Sequence, residues 1–260
     1  MATRTINIAL GGYIQLDQND LTPGGATTQV NDGWLACRNS STGSYVDQNN
    51  AFDPAAIQVK KWSSAGNGRY NIIRSYFACD TIGGLFGECV TSATLKIYGK
   101  TYGTADVIVV KADSEHPSNL TTASFNAISG WNSNFSPSDL TAYSSEVTTW
   151  DTSDYNEITL NAAARRALEV SGSYFEFCIM EHDHDYLGTT PFPSDSTNQV
   201  QNGLFWYHSA GAFSSKWPVL VCETTSAPCG YQNSVIGVAS ENIEKIMAVD
   251  SGDIDKVLGS

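Results

Sequence analysis

Charge is scarce in this sequence, and positive charge is scarcer than negative charge. Charged residues make up 16% of its 260 residues, and 14 Lys and Arg stand against 27 Asp and Glu, which gives a formal net charge of −13. A surface of that sign repels a phosphate backbone unless basic residues are concentrated in one place. The sequence has no such concentration, so nucleic acid is not an expected partner.

Long apolar runs are missing as well. No stretch approaches the roughly 20 apolar residues that cross a bilayer. The first ten residues alternate polar with apolar side chains, whereas a signal peptide has a continuous apolar core. We therefore expect no membrane insertion, assembly in a cytoplasm, and release without a signal peptide.

The motifs of common catalytic and zinc sites are also absent. The sequence has no Gly-x-Ser-x-Gly elbow, no His-Glu-x-x-His helix, no glycine-rich phosphate loop followed by Lys, and no CxxC pair among its six cysteines. Cys178 lies in an apolar strand pattern, where a free thiol acts as a small hydrophobe. Cys222 and Cys229 flank a turn that contains proline, and the sequence leaves their pairing open. We expect a protein that is not an enzyme.

What the sequence does contain is a recurring alternation of apolar and polar residues. Nine alternating segments, separated by turn-forming residues, are typical of a β-sandwich. They are residues 33–37, 56–60, 70–79, 93–98, 105–110, 157–160, 174–180, 203–207 and 218–222. One helix is predicted from Ala162 to Val170, with Asn161 as its N-cap. We therefore expect a mainly β protein with an antiparallel jelly-roll β-sandwich over residues 31–224.

Residues 1–30 are predicted to form an N-terminal strand followed by a polar, turn-rich arm. Two alternatives are open for this segment. Its unpaired backbone groups suit it to extend the sheet of a neighbouring copy, or it folds back on its own domain.

Four segments resemble consecutive landmarks of a known family. They are residues 70–80, residues 90–98, residues 158–161 ahead of the predicted helix, and residues 216–221. In order and spacing they resemble the jelly-roll family named after its DNRLRE motif. Domains of that family occur in carbohydrate-binding modules, cell-surface proteins and phage structural proteins. The resemblance implies a recognition or scaffold domain.

The C-terminal segment, residues 225–260, is predicted to be a linker followed by a tandem repeat. Residues 238–248 and 249–259 repeat with a period of 11, and each unit combines a Ser that can cap a helix with acids in the following turn. We expect two short helices that dock on another copy or another particle protein through one apolar stripe. That assembly interface contains Ile243, Ile246, Met247, Ile254, Val257 and Leu258. The units resemble the short C-terminal helical repeats of phage virion proteins.

The densest polar cluster, Glu181–Asp185, directly follows a predicted strand. If the strand continues, its two histidines share one face and its three acids share the other. The imidazoles suit a transition metal, with His208 as a third nitrogen, and the carboxylates suit a hard cation. We expect at most a structural Ca²⁺ ion, held by Glu181, Asp183 and Asp185.

Two tryptophans bracket a long polar segment. Trp131 and Trp150 flank residues 132–149, where side chains are expected to be exposed. Because indole rings stack on sugar rings, this pair is the predicted glycan-binding site.

Two functions follow from these observations. The favoured one is a non-enzymatic structural protein of a phage-like virion, such as a capsid decoration, tail or fibre subunit, whose partners are copies of itself and other virion proteins. The alternative is a carbohydrate-binding adhesive module that accompanies a polysaccharide-degrading system and binds cell-surface glycan.

Overall fold

The computed structural model describes residues 1–8, 10–19, 34–48, 55–64, 67–81, 85, 88–102, 106–113, 117–132, 136–189, 200–206, 216–225, 245–246 and 249–250. The strands within these residues are β1 (Ala2–Asn7), β2 (Leu10–Asn19), β3 (Tyr45–Gln48), β4 (Ala55–Ser64), β5 (Asn67–Asp80), β6 (Cys89–Tyr102), β7 (Val107–Lys111), β8 (Tyr155–Thr159), β9 (Tyr174–Glu181), β10 (Val200–Trp206), β11 (Val219–Thr225), β12 (Lys245–Ile246) and β13 (Val249–Asp250).

Helical structure is confined to short elements. The α-helix α1 spans Ala162–Val170, and the side chain of Asn161 caps it by accepting a hydrogen bond from the Ala164 N–H, as predicted. The other helical elements are residues 34–38, the 3₁₀ turns Pro117–Asn119, Thr122–Asn126 and Pro137–Asp139, and a π-helical turn His182–Tyr186. No helix among the described residues is long and apolar enough to cross a membrane.

The strands form two antiparallel sheets. In the first sheet, β11 pairs with β1 on one side and β6 on the other, and β6 also pairs with β8. In the second sheet, β5 pairs with β2 along one edge, and with β4 and then β9 along the other. Strands β3, β7 and β10 complete it, and residues 99–102 of β6 join it by pairing with β10. This arrangement confirms the predicted mainly β sandwich, and eight of the nine predicted segments coincide with β4 to β11.

The inter-sheet core lies between the two sheets. Every second side chain of each strand points into this core, because successive residues of a strand point to opposite faces. Strands β6, β8 and β11 of the first sheet face β5, β7 and β9 of the second, and α1 adds Ala164 and Leu168. Its members include Phe77, Leu95, Ile97, Phe175, Phe177, Ile179 and Leu220.

The opposite face of the second sheet is buried as well, in what we call the outer core. The alternate side chains of its strands, such as Ile72, Tyr76 and Met180, point away from the inter-sheet core and pack there. Residues 34–38 and the segments that contain the 3₁₀ turns cover them with Trp34, Cys37, Leu120, Phe125 and Leu140. Strands β5, β7 and β9 are therefore buried on both faces, and the domain has a third, irregular layer.

The helical turn at residues 34–38 differs from the strand that the sequence predicts. Trp34, Cys37 and Arg38 are buried, whereas Leu35 and Ala36 are exposed. Burial at positions i, i+3 and i+4 is the pattern of a helix. Because four of these five residues are apolar, the sequence alone does not separate this pattern from strand alternation.

The N-terminal strands belong to the sandwich of their own chain. β1 pairs with β11, and β2 pairs with β5 and β3. Arg4 of β1 also forms an ion pair with Glu88, with 2.5 Å between Nη2 and Oε1. Of the two alternatives for this segment, the described residues follow the one that folds back, so strands β1 and β2 are not separate from the domain.

At the C-terminus the structure describes four residues, and they form strands. Lys245 pairs with Asp250 and Ile246 with Val249 in an antiparallel ladder, where the sequence predicts helices. A two-turn helix is marginal in water without tertiary support, and the β-branched Ile246 and Val249 favour a strand. The other predicted interface residues, Ile243, Met247, Ile254, Val257 and Leu258, lie outside the described residues.

The described cysteines include both free thiols and a disulfide-bonded residue. Cys37, Cys79, Cys178 and Cys222 are free and buried, so Cys178 packs as predicted and Cys222 forms no disulfide. Cys89 is disulfide-bonded.

Candidate functional site

The candidate site is the acid-rich turn that follows β9. The backbone leaves the strand at Glu181 and enters the π-helical turn His182–Tyr186. Because the strand ends here, the predicted division into a histidine face and a carboxylate face is not formed. Glu181 and Asp185 are fully buried, and the residues between them are partly buried.

Asp185 forms a buried ion pair with Arg74 on the outer face of β5. The Arg74 Nε and Nη2 atoms donate to the two carboxylate oxygens at 2.8 and 2.7 Å, and both side chains are 0% exposed. Burial disfavours the charge of Arg74, but its bonds to Asp185 outweigh burial, and its pKa is raised. Arg74 therefore remains charged.

The remaining N–H groups of Arg74 bind the irregular layer. Nη1 donates to the Phe125 carbonyl at 2.9 Å and to the Asn126 side chain at 2.5 Å, and Nη2 donates to the Arg38 carbonyl at 3.1 Å. Together with the two bonds to Asp185, all five donors of the guanidinium are used. Arg74 thus joins β5 to three segments that lack β-structure.

A second arginine holds the far end of the turn. Arg38 donates from Nε to the Asp185 carbonyl at 2.6 Å and from Nη2 to the Tyr186 carbonyl at 2.9 Å. Gly188 has φ +75°, and a Cβ there would lie 3.0 Å from the Arg38 Cζ, so this position needs glycine.

Trp131 and Trp150 do not form one glycan-binding surface. Trp131 packs against the outer core, with the guanidinium carbons of Arg74 and Arg38 4.0 and 5.2 Å from its ring centroid. Trp150 packs against the inter-sheet core. The structure therefore places the two rings on different cores, and the Trp131 ring stacks on arginines.

Glu181 closes the turn from the strand side. Its Oε2 accepts hydrogen bonds from the backbone N–H groups of His184 and Asp185, at 2.6 and 3.0 Å. Its Oε1 is buried without a hydrogen-bond partner among the described residues. Burial raises the pKa of Glu181 to about 8, and the negative charges of Asp185 and Asp183 act in the same direction. Burial thus favours the protonated form of Glu181.

Three metal-ligating side chains converge beside this turn. The His182 Nδ1 atom lies 3.0 Å from the Asp183 Oδ1 atom and 3.2 Å from the Glu146 Oε1 atom. Ligand atoms of all three residues lie within 4.8 Å of one another. Within the described ranges this is the group that the structure brings together.

The group differs from the predicted set of Glu181, Asp183 and Asp185. Asp183 belongs to it, but the carboxylate of Asp185 is held by Arg74 and Glu181 caps the turn. His184 is directed elsewhere, with its Nδ1 atom 2.9 Å from the Thr189 carbonyl. His208 lies outside the described residues. Sequence reasoning missed Glu146, because only the bridge between Val107 and Val147 brings it beside the turn.

Comparisons with known proteins identify no family for this chain. No protein-family model matches the chain, and no curated protein matches it.

Asp185→Asn is expected to destabilise the protein strongly. The substitution keeps the shape of the side chain but leaves the buried charge of Arg74 without its counter-ion, which costs about 3–5 kcal/mol. Urea denaturation followed by circular dichroism measures this loss. The matched control is Glu157→Gln, which breaks the exposed pair with Lys96 and should cost less than about 1 kcal/mol. Equal losses in the two variants would contradict the central role of the buried pair.

Glu181→Gln is expected to change how stability depends on pH. In the wild type, the unfolded chain releases the Glu181 proton near its ordinary pKa of 4.5, whereas the folded protein keeps it to about 8. The free energy of unfolding should therefore fall as pH rises between these values and level off above them. In Glu181→Gln this contribution should disappear.

Urea denaturation at several pH values in the presence of a chelator measures the difference between the two proteins. Glu157→Gln serves again as the control, because it alters an exposed carboxylate. Parallel stability curves for wild type and Glu181→Gln would show that folding leaves the pKa of Glu181 unchanged and would contradict the prediction.

Proposed function

We propose that the chain is a non-enzymatic structural protein of a phage-like virion, a capsid decoration, tail or fibre subunit that displays the sandwich as a recognition domain. The observation that carries the proposal is the pairing of β1 with β11, which puts Ala2 opposite Thr224. The N-terminal strand and the strand that precedes the C-terminal repeat thus run side by side. Both attachment points leave from the same end of the first sheet, and the irregular layer over the second sheet is available for display.

The polar groups of the domain support a structural role. The buried charges of Arg74 and Asp185 and the buried carboxyl of Glu181 bind the domain's own backbone and side chains. A catalytic acid or base has to reach a substrate, whereas these groups hold the irregular layer on the second sheet.

Strand β1 offers a means of assembly. It lies at the end of the first sheet, with β11 as its partner among the described strands, and residues 1–5 are exposed. An exposed edge strand can accept a strand from another chain through its backbone groups. We infer that this edge contributes to contacts between copies or with a neighbouring particle protein.

A chain that ends after Thr225 is expected to keep the sandwich and to lose assembly. The sandwich closes with β11, and the 11-residue repeat that follows supplies the apolar contacts proposed for assembly. Circular dichroism and melting should match those of the full chain. Sedimentation of each chain, alone and with purified particles, measures assembly.

The matched control changes Ile243, Ile246, Ile254 and Val257 to Ser in the full chain, which removes apolar contacts at unchanged length. This variant should reproduce the loss of assembly. Equal assembly by the truncated and full chains would overturn the role of the repeat, and absence of the protein from purified particles would overturn the virion assignment.

A specific observation supports the alternative, a carbohydrate-binding adhesive module. On the outer face of the first sheet, Tyr98 of β6 and Tyr155 of β8 meet edge to face, with ring centroids 5.8 Å apart. The Lys216 Nζ atom lies 4.3 Å from the Tyr98 ring centroid. Partly exposed rings beside charged groups can stack on a sugar and bind its hydroxyl groups. Under this alternative, the glycan site moves from Trp131 and Trp150 to these tyrosines.

Tyr98→Ala is expected to abolish glycan binding if the alternative is correct. The substitution removes the stacking surface and leaves the inward-facing side chains of β6 unchanged. A glycan array followed by calorimetric titration measures binding. Tyr45→Ala is the control, because Tyr45 is 49% exposed on β3 in the other sheet. No saturable binding by the wild type would exclude the alternative.

A further inference from the structure

Neither the sandwich nor the proposed assembly accounts for the group formed by Glu146, His182 and Asp183. Its members come from two parts of the chain that are separated by 36 positions between Glu146 and His182. The Nδ1 atom of His182 faces two carboxylate oxygens, at 3.2 and 3.0 Å.

The backbone holds the three side chains in place before any ligand arrives. Val147, next to Glu146, exchanges both backbone hydrogen bonds with Val107 of β7, at 3.1 and 2.8 Å. His182 donates its N–H to the Asp106 carbonyl and accepts a bond from the Leu187 N–H, each at 2.8 Å. Preorganised ligands lose little conformational entropy on binding.

The His182 ring and the adjoining residue Asp183 are fixed as well. The imidazole stacks on Tyr186, with ring centroids 5.5 Å apart and planes at 21°. The Asp183 carbonyl accepts a hydrogen bond from the Thr189 N–H at 3.1 Å. The two residues therefore keep the orientation that directs them toward Glu146.

A proton or a cation has to lie between the donor atoms of these three side chains. With a lone pair on Nδ1, the imidazole and the two carboxylates present three electron-pair donors to one another, and they repel. A proton on Nδ1 can be directed fully at only one of the two oxygens. A metal cation accepts all three donors at once.

Glu181 supplies an independent indication of a cation. It lies one residue before His182, is 0% exposed, and has a buried Oε1 without a hydrogen-bond partner among the described residues. An unsatisfied buried carboxyl oxygen costs free energy, and a positive charge on the neighbouring residues reduces that cost.

The donor set selects the class of ion. One nitrogen and two oxygens suit a first-row transition ion, whereas Ca²⁺ is held by six to eight oxygens. Metal–ligand bonds of about 2.0–2.2 Å place neighbouring donors about 3.0–3.4 Å apart. The separations of 3.0 and 3.2 Å at His182 match that spacing.

We propose that Glu146, His182 and Asp183 bind one divalent transition-metal ion, with Zn²⁺ or Mn²⁺ as its representatives. The ion ties the segment that contains Glu146 to the turn after β9. Its role is structural, since it joins two parts of the irregular connections at one end of the second sheet. The inference does not depend on the virion assignment.

Calorimetric titration of the full chain with ZnCl₂ and with MnCl₂, after treatment with a chelator and desalting, tests the site. We expect saturable binding of one ion and a rise in melting temperature when the ion is present. His182→Gln should weaken binding at least about tenfold. The matched control is His184→Gln, because His184 lies in the same turn but is directed at the Thr189 carbonyl, and it should bind like the wild type.

A second pair of variants keeps the test valid if His182→Gln does not fold. Glu146→Gln alters a partly exposed ligand and should weaken binding, whereas Glu157→Gln should not. Titration with Co²⁺ adds a spectroscopic measurement, since visible bands of the bound ion should be lost in His182→Gln.

Three results would overturn the proposal. The first is no saturable binding of either ion, which would leave hydrogen bonds to the His182 ring as the contacts that hold the group together. The second is equal binding by wild type, His182→Gln and Glu146→Gln. The third is tighter binding of Ca²⁺ than of Zn²⁺ and Mn²⁺, which would point to an oxygen-only site.

Discussion

Arg74 places a positive charge on a fully buried face of β5, and the irregular layer of the domain is arranged around that charge. A buried ion is tolerated only when a counter-ion and hydrogen bonds replace its hydration. The replacement comes from Arg38, from Phe125 and Asn126, and from Asp185 after β9. The regular structure in these segments is limited to short helical turns. The Arg74 guanidinium therefore holds these segments against the second sheet as a third layer, and this layer shields the outer core from water.

The same interaction determines the shape of the candidate metal site. Asp185 is held by Arg74 through its side chain and by Arg38 through its carbonyl, and Glu181 binds the turn at its other end. His182 and Asp183 lie between these two fixed points, so their orientation follows from contacts made by their neighbours. Stability and ligand geometry are coupled in this turn, and a change at the ion pair is expected to alter the positions of the ligands.

The sequence predicts the parts of the structure that depend on local pattern. Strand alternation and the Asn161 cap of α1 are of this kind, and both are confirmed. The helical turn at residues 34–38 is not predicted, because a segment that is almost entirely apolar does not distinguish the periodicity of a helix from that of a strand. Glu146 is missed because its approach to His182 depends on long-range pairing. Arg74, the one charged residue between Tyr70 and Cys79, was a readable signal of a buried ion pair, but the sequence does not identify Asp185 as its partner.

Attachment and ligand binding use different sheets. β1 and β11, which carry the two ends of the sandwich, belong to the first sheet. The Arg74 pair and the turn after β9 belong to the second sheet and its irregular layer. The inter-sheet core separates the two regions, so substitutions in one share no direct partner with substitutions in the other. Effects on assembly and on metal binding should then combine additively, and a departure from additivity would show that the core transmits strain between the sheets.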